Sequence, residues 1–153
     1  MNIVPSFELT KNYDLQYPKQ KFVLGGTQAI LQEDFSLIIN DSDDFNFKIT
    51  VKKNFMYDGF SVPWLFEWVQ SPFTGAVPAA LMHDAVYATN FLTRSDADWL
   101  FLVILQMYGE NWLHRNLLYS AVKTFGWTVY GKSEYEKAKN RRYVDIDYYY
   151  RER

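Results

Sequence analysis

The residues best suited to chemistry lie in one apolar stretch, residues 77–90, with the sequence V-P-A-A-L-M-H-D-A-V-Y-A-T-N. Up to residue 88 its only polar groups are His83, Asp84 and the hydroxyl of Tyr87. At helical pitch such a run has no polar face, which predicts a helix that is buried on most sides. A buried imidazole and a buried carboxylate must both find internal partners, because unpaired buried polar groups are costly.

A second helix is predicted to supply the partner of His83. R-S-D-A-D opens another apolar run, and the link of residues 91–94 is short enough to fold this helix back against the first. That arrangement can bring Asp98 or Asp96 beside His83. An imidazole held by a carboxylate is fixed in one tautomer and can act as a general base that activates water.

Two further residues of the first helix take different positions relative to His83. Tyr87 lies one turn away on the same face, about 6 Å along the axis, whereas Asp84 is rotated by about 100° and can point elsewhere. A carboxylate there can hold a hard cation such as calcium together with backbone carbonyls. The candidate catalytic residues are therefore His83, Asp98 and Tyr87, and the candidate metal ligand is Asp84.

The same residues have a purely structural interpretation. A buried histidine bonded to an aspartate of a neighbouring helix is a common core device, and on residue types alone it is the commoner of the two. Ser95 is predicted to cap the second helix, with Asp98 at the capping-box spacing. In that role Asp98 stabilises only its own helix end.

A glycine turn, Y-D-G-F-S-V-P, precedes the helices. Asp58 either bonds backbone donors two residues on, as in an Asx turn, or lies at the mouth of the His83 site. Ser61 is a weak nucleophile candidate, because no G-x-S-x-G elbow surrounds it.

The second histidine, His114, is assigned a surface or capping role. With two histidines and no cysteine, a His-rich transition-metal site is disfavoured.

The order of patterns predicts an α+β fold: a small N-terminal antiparallel β unit, then a bundle of three or more helices that contains the buried His-Asp helix. In the strand predicted over residues 45–51, phenylalanine, isoleucine and valine alternate with polar residues. The chain is expected to be a single domain, residues 1–153, with an arm at 1–20, β hairpins at 21–54, a turn and helical core at 55–131, and a helix and Tyr/Arg arm at 132–153.

Composition narrows the function classes. Aromatic residues make up 19% of the chain, which suits thick cores or protein interfaces, and the Tyr/Arg arm suits contact with a neighbouring subunit. A net charge of -2 provides no basic field, so no nucleic-acid partner is expected. The absence of cysteine excludes disulfides. Without a signal peptide or an apolar run of ~20 residues, we expect synthesis in the cytoplasm and no transmembrane segment.

Four sequence blocks within residues 57–127 resemble a family of small phage and prophage proteins of unknown function. They are Y-D-G-F-S-V-P, A-A-L-M-H-D-A-V-Y, R-S-D-A-D-W-L-F and Y-S-A-V-K-T-F-G-W. The family pattern is T-D-G-A-S-I-P, A-x-x-H-D-x-x-Y, R-x-x-A-D-x-x-F and Y-x-A-V-x-x-x-G, from which Tyr57 and Phe60 depart. The resemblance implies a phage protein that is made in the host cytoplasm and then carried in the virion.

A second similarity concerns mechanism. The H-D-x-x-Y motif, answered by an aspartate on a neighbouring helix, is similar to that of the secreted His-Asp phospholipases. This similarity implies that His83 activates water, that Asp84 binds calcium, and that Tyr87 and Asp98 orient His83. The chain departs from that pattern because it lacks the cysteines of the animal enzymes and a clear glycine-rich calcium loop just before the helix.

These observations leave three functions open. The first is a virion-associated component, of the tail or the head-tail connection, whose aromatic arms pack on other phage structural proteins or on copies of itself. The alternative is a small calcium-dependent phospholipase-like hydrolase that uses His83 as its general base during entry or lysis. The third is an intracellular module that blocks a host protein. The aromatic arms favour the first function and the His-Asp-Tyr group favours the second.

Overall fold

The computed structural model describes residues 17–23, 28–42, 45–57, 76–125 and 134–150. In these ranges the fold is α+β, as predicted, with strands β1 (Gln20–Val23), β2 (Gln28–Leu31), β3 (Phe35–Ser42), β4 (Phe45–Val51), β5 (Met56–Tyr57) and β6 (Val144–Tyr150), and helices α1 (Ala76–Thr89), α2 (Arg94–Met107), α3 (Trp112–Phe125) and α4 (Glu134–Arg141). Most of the predicted N-terminal arm, residues 1–16, lies outside the described residues. None of the described helices is long and apolar enough to cross a membrane.

The strands form two antiparallel sheets of three strands each, with the orders β1-β2-β5 and β3-β4-β6. Both predicted hairpins are present, because β1 pairs with β2 and β3 pairs with β4. The alternation predicted for β4 is confirmed as well. Phe47, Ile49 and Val51 are buried, whereas Lys48 and Thr50 are partly exposed. One face of β4 therefore belongs to the core.

The C-terminal segment differs from the predicted Tyr/Arg arm. The polar helix is present as α4, but the next residues form β6, which pairs along the whole of β4. Val144 is buried and Ile146 is half-buried, whereas Asp145 and Asp147 are exposed. This is the two-residue period of a half-buried strand. Residues 144–150 are thus a strand of the protein's own sheet rather than an arm.

Helix α1 packs against α2 and α4 and against strands β4, β5 and β6. Between residues 77 and 89 every side chain is buried except that of Asp84, which is half-buried, so the predicted burial of this helix is confirmed. The helix ends at Thr89, and the next residue, Asn90, has a positive φ of 53°, the left-handed conformation common after a helix. From α4, Nε of Arg141 donates to the carbonyl of Thr89 at 3.0 Å and so satisfies one of the last carbonyls of α1.

Helix α2 begins one residue after Thr93, and the prediction that Ser95 caps it is wrong. The Thr93 hydroxyl accepts a hydrogen bond from the backbone N–H of Asp96 at 3.2 Å, and its own backbone is extended. Ser95 lies inside the first turn. Thr93 and Ser95 both carry a hydroxyl and stand close together in T-R-S-D. The first of them, Thr93, lies at the end of the link that precedes the helix and takes the cap position.

Replacing Thr93 with alanine should lower the free energy of unfolding by about 1 kcal/mol, because an N–H of the first turn loses its acceptor. Replacing Ser95 with alanine should change it by less than about 0.5 kcal/mol, since Ser95 is exposed in the helix. Urea denaturation of both variants measures the difference. A larger loss for the Ser95 variant would show that the helix begins at the later residue.

Helix α3 covers some of its apolar residues and exposes others. Leu118 is buried and Val122 packs against the core, but Leu113 and Leu117 are exposed. With Trp112, which is 69% exposed, these two leucines form an apolar surface on the outer side of α3.

Candidate functional site

Asp98 on α2 is the central acceptor of a buried polar group on α1 and α2. Nε2 of His83 lies 2.9 Å from Oδ1 of Asp98, and the Tyr87 hydroxyl donates a short hydrogen bond to the same oxygen. Because an ionised carboxylate only accepts, Nε2 of His83 is the nitrogen that carries the hydrogen. Of the two partners that the sequence leaves open, Asp98 contacts His83, whereas Asp96 belongs to the capped first turn of α2.

Aromatic rings enclose the imidazole of His83. The Tyr87 ring lies with its centroid 3.9 Å away, and the Phe101 ring lies edge-on at 5.5 Å. Only 7% of the His83 side chain is exposed. The bond to Asp98 and the two rings together hold the imidazole in one orientation, as a general base requires.

Asp84 lies at the other ring nitrogen of His83. Its Oδ1 is 3.8 Å from Nδ1 of His83, longer than the hydrogen-bond distance of about 2.7–3.2 Å. Its side chain is 16% exposed, so it is more accessible than either His83 or Asp98. The sequence allowed Asp84 to point away from His83, but the structure places His83 between two carboxylates.

Burial and the neighbouring charges shift the pKa of His83 in opposite directions. Burial lowers the pKa of His83, since it disfavours the charged ring, but the carboxylates of Asp84 and Asp98 more than offset this effect. The pKa of His83 is therefore raised above its usual value of about 6.5. Burial raises the pKa of Tyr87, and its hydrogen bond to Asp98 raises it further.

The raised pKa of His83 predicts a pH-dependent contribution to stability. The folded protein holds the proton on His83 more tightly than the unfolded chain does, so this contribution is complete below about pH 6.5 and is lost as pH rises through the folded pKa. The difference in unfolding free energy between the wild type and His83→Gln should therefore shrink from pH 6 to pH 9. Urea titrations across this range measure it, and a difference that grows with pH contradicts the assignment.

Two more residues face this group and were not predicted. Nε of Arg94 lies 4.0 Å from Oδ2 of Asp98, four residues along α2, a spacing that is visible in R-S-D-A-D. Tyr57 on β5 is buried, and its pKa is raised by burial and then by the charge of Asp84. No sequence pattern connects Tyr57 with α1, because their proximity comes from the packing of β5 on this helix.

His114 forms a separate pair with a carboxylate. Its Nδ1 lies 2.6 Å from Oε2 of Glu110, and its backbone N–H donates to Oδ1 of Asn111 at 2.8 Å. His114 therefore belongs to the first turn of α3, where the side chain of Asn111 supplies the capping acceptor. This pair resembles the His83–Asp98 pair in chemistry but lies on a different helix.

The predicted calcium ligand is not accompanied by other ligands in the part of the chain that the structure describes. Within those residues, no group of three or more His, Asp or Glu side chains could hold a metal ion. Asp58 and Ser61, the other candidate residues, lie outside the described residues.

A family model described as "Protein of unknown function (DUF1353)" matches residues 31–122, which is more than half of the chain. The chain belongs to the DUF1353 family. The matched range includes α1 and α2, so it contains every residue of the group around His83, whereas α4 and β6 lie beyond it. Comparisons with curated proteins and with solved structures found no match. The family description assigns no activity, so the function must be argued from the site.

Proposed function

We propose that this member of the DUF1353 family is a hydrolase in which His83, oriented by Asp98, is the general base that activates water. The observation that supports the proposal is the bond of 2.9 Å between Nε2 of His83 and Oδ1 of Asp98. In the neutral ring Nε2 carries the hydrogen and Nδ1 has the lone pair that can accept a proton. Because the pKa of His83 is raised, this basic form gains population as the pH rises. An imidazole oriented by a carboxylate through one nitrogen, with the other available as a base, is the arrangement used for general-base catalysis.

The proposed substrate is a carboxylic ester, of a lipid or of another compound. Water bound at Nδ1 gives a proton to His83 while its oxygen forms a bond to the carbonyl carbon. The ester C–O bond then breaks, and the leaving alkoxide takes the proton back from Nδ1. The imidazolium that exists between these steps is stabilised by the negative charges of Asp84 and Asp98, which lie at its two nitrogens.

Tyr87 and Asp84 have supporting roles in this proposal. The Tyr87 hydroxyl donates to Oδ1 of Asp98, the oxygen that also accepts from His83, and so restrains the Asp98 carboxylate. At 3.8 Å from Nδ1, Oδ1 of Asp84 is placed to accept the second hydrogen of a water molecule that lies against this nitrogen.

His83→Gln should lower the hydrolysis rate by about 10²–10⁴-fold, the usual contribution of a general base. His114→Gln is the matched control, because it removes an imidazole paired with a carboxylate at the start of α3. The assay uses chromogenic carboxylic esters and short-chain phosphatidylcholine, each with calcium and with a chelator. Equal activity of wild type and His83→Gln would refute the proposal. A wild type that hydrolyses none of these esters, with a stability loss in His83→Gln, would favour a structural brace.

A second candidate function is the virion component that the resemblance implies. The structural feature that favours it is the apolar surface of Trp112, Leu113 and Leu117 on α3, since tryptophan and clustered apolar side chains are enriched in interface cores. The predicted C-terminal arm does not support it, because residues 144–150 pair within the protein's own sheet. Mass spectrometry of purified particles of the encoding phage tests this function, and absence of the protein from them would oppose it.

A further inference from the structure

We propose that Arg94 is a positioning residue of the His83 site, whose positive charge faces Oδ2 of the Asp98 carboxylate while Oδ1 accepts from His83 and Tyr87. The effect of Arg94 on catalysis rests on the proposed function. The contact between Arg94 and Asp98, both on α2, does not depend on that function.

Arg94 is held between two partners. Its Nη2 donates to the backbone carbonyl of Lys123 near the end of α3 at 2.8 Å, and its Nε lies 4.0 Å from Oδ2 of Asp98. The first bond fixes the far end of the guanidinium, so the near end stays turned toward Asp98. Arg94 is 36% exposed and Asp98 is 7% exposed, so the guanidinium lies between the buried carboxylate and solvent.

The two oxygens of Asp98 have different surroundings, which gives Arg94 its role. Oδ1 receives both hydrogen bonds from α1, whereas Oδ2 faces the guanidinium of Arg94. A carboxylate that turns about its Cβ–Cγ bond would exchange these oxygens and lose the alignment with His83. A positive charge next to Oδ2 opposes that rotation. Arg94 also acts on Tyr87, because it partly offsets the rise in the Tyr87 pKa that burial and Asp98 cause.

The titratable and charged groups that face His83 allow the effect of Arg94 to be measured. In the described residues they are Asp84 and Tyr87 on α1, Asp98 and Arg94 on α2, and Tyr57 on β5. Arg94 is the cation of this set. Its removal takes a positive charge from beside the imidazole and leaves the Asp98 carboxylate less oriented, and both effects reach His83.

The test compares Arg94→Gln and Arg94→Lys with Arg141→Gln. Arg141 is the matched control, because it also donates to a carbonyl near a helix end, that of Thr89 on α1. The first readout is the ¹⁵N NMR signal of Nε2 of His83 and the pH at which His83 titrates. We expect Arg94→Gln to shift the signal and to move the titration to higher pH. Arg94→Lys should produce a smaller change, and Arg141→Gln should leave both at their wild-type values.

Hydrolysis provides the second readout, which separates this inference from the proposed function. In an active protein, Arg94→Gln should lower kcat more than it changes KM. An inactive wild type in which Arg94→Gln still shifts the His83 signal refutes the hydrolase and keeps the positioning role. Wild-type NMR behaviour of Arg94→Gln, or the same shift in Arg141→Gln, overturns the inference. If Arg94→Gln does not fold, Arg94→Lys decides, since an unchanged His83 signal in that variant rejects a role for the guanidinium.

Discussion

Asp98→Ala should lower the free energy of unfolding by about 3–5 kcal/mol, the usual cost of removing one partner from a buried pair. The substitution leaves the imidazole of His83 and the hydroxyl of Tyr87 without the acceptor they share, inside a layer of aromatic side chains. Each buried donor left unsatisfied costs about 1–3 kcal/mol. Urea denaturation at pH 7, followed by circular dichroism, measures the change.

Asp145→Ala is the control for this prediction. Asp145 also pairs with a cation, Lys52 at 3.1 Å, but both side chains are about half exposed. An exposed ion pair contributes about 0–1 kcal/mol, so the free energy of unfolding of this variant should be close to that of the wild type. Similar losses in the two variants would contradict the buried acceptor role assigned to Asp98. Loss of hydrolysis in Asp98→Ala has meaning only under conditions where the variant is folded.

Leu81→Ala should lower the free energy of unfolding by about 2–5 kcal/mol, because it opens a cavity in the most enclosed of the described helices. Leu81 is fully buried on α1, which contacts both neighbouring helices and strands of both sheets. The rigid surroundings cannot collapse fully into the space that the side chain leaves. Thermal unfolding and urea denaturation both report the loss.

Leu113→Ala is the matched control for Leu81→Ala. Leu113 has the same side chain in a helix of the same length, but it is 62% exposed on α3. We expect a change below about 0.5 kcal/mol. A large loss in Leu113→Ala would show that the outer side of α3 is covered in solution, which would support the interface role of its apolar surface.

Much of the fold could be predicted from the sequence where a local pattern was strong. The apolar run around His83 has no polar face, and burial of α1 follows directly from that. The V-D-I-D alternation of β6 is an equally simple signal, but it covers few residues among arginines and tyrosines, so the composition of this segment predicts an arm instead. The choice between Thr93 and Ser95 as cap depends on backbone angles, which residue types do not determine.

The candidate site was predictable only where short chain links determine proximity. The four residues between α1 and α2 force these helices together, and the pairing of His83 with Asp98 follows from this. The position of Asp84 depends on its side-chain rotamer, and that of Tyr57 on the packing of a distant strand. Arg94 had the correct spacing from Asp98, but many such pairs on helices are solvent-exposed and have no further role.

The pairing of β6 with β4 has a consequence for synthesis on the ribosome. Val51 pairs with Val144 and Phe45 with Tyr150, so one edge of β4 lacks its partner until all four of the described helices have been translated. At roughly 5–20 residues per second, the nascent chain carries this open edge for several seconds. An open strand edge is a template for pairing with other chains. A premature stop before residue 144 would make that temporary exposure permanent, so such truncated products should be recovered as aggregates.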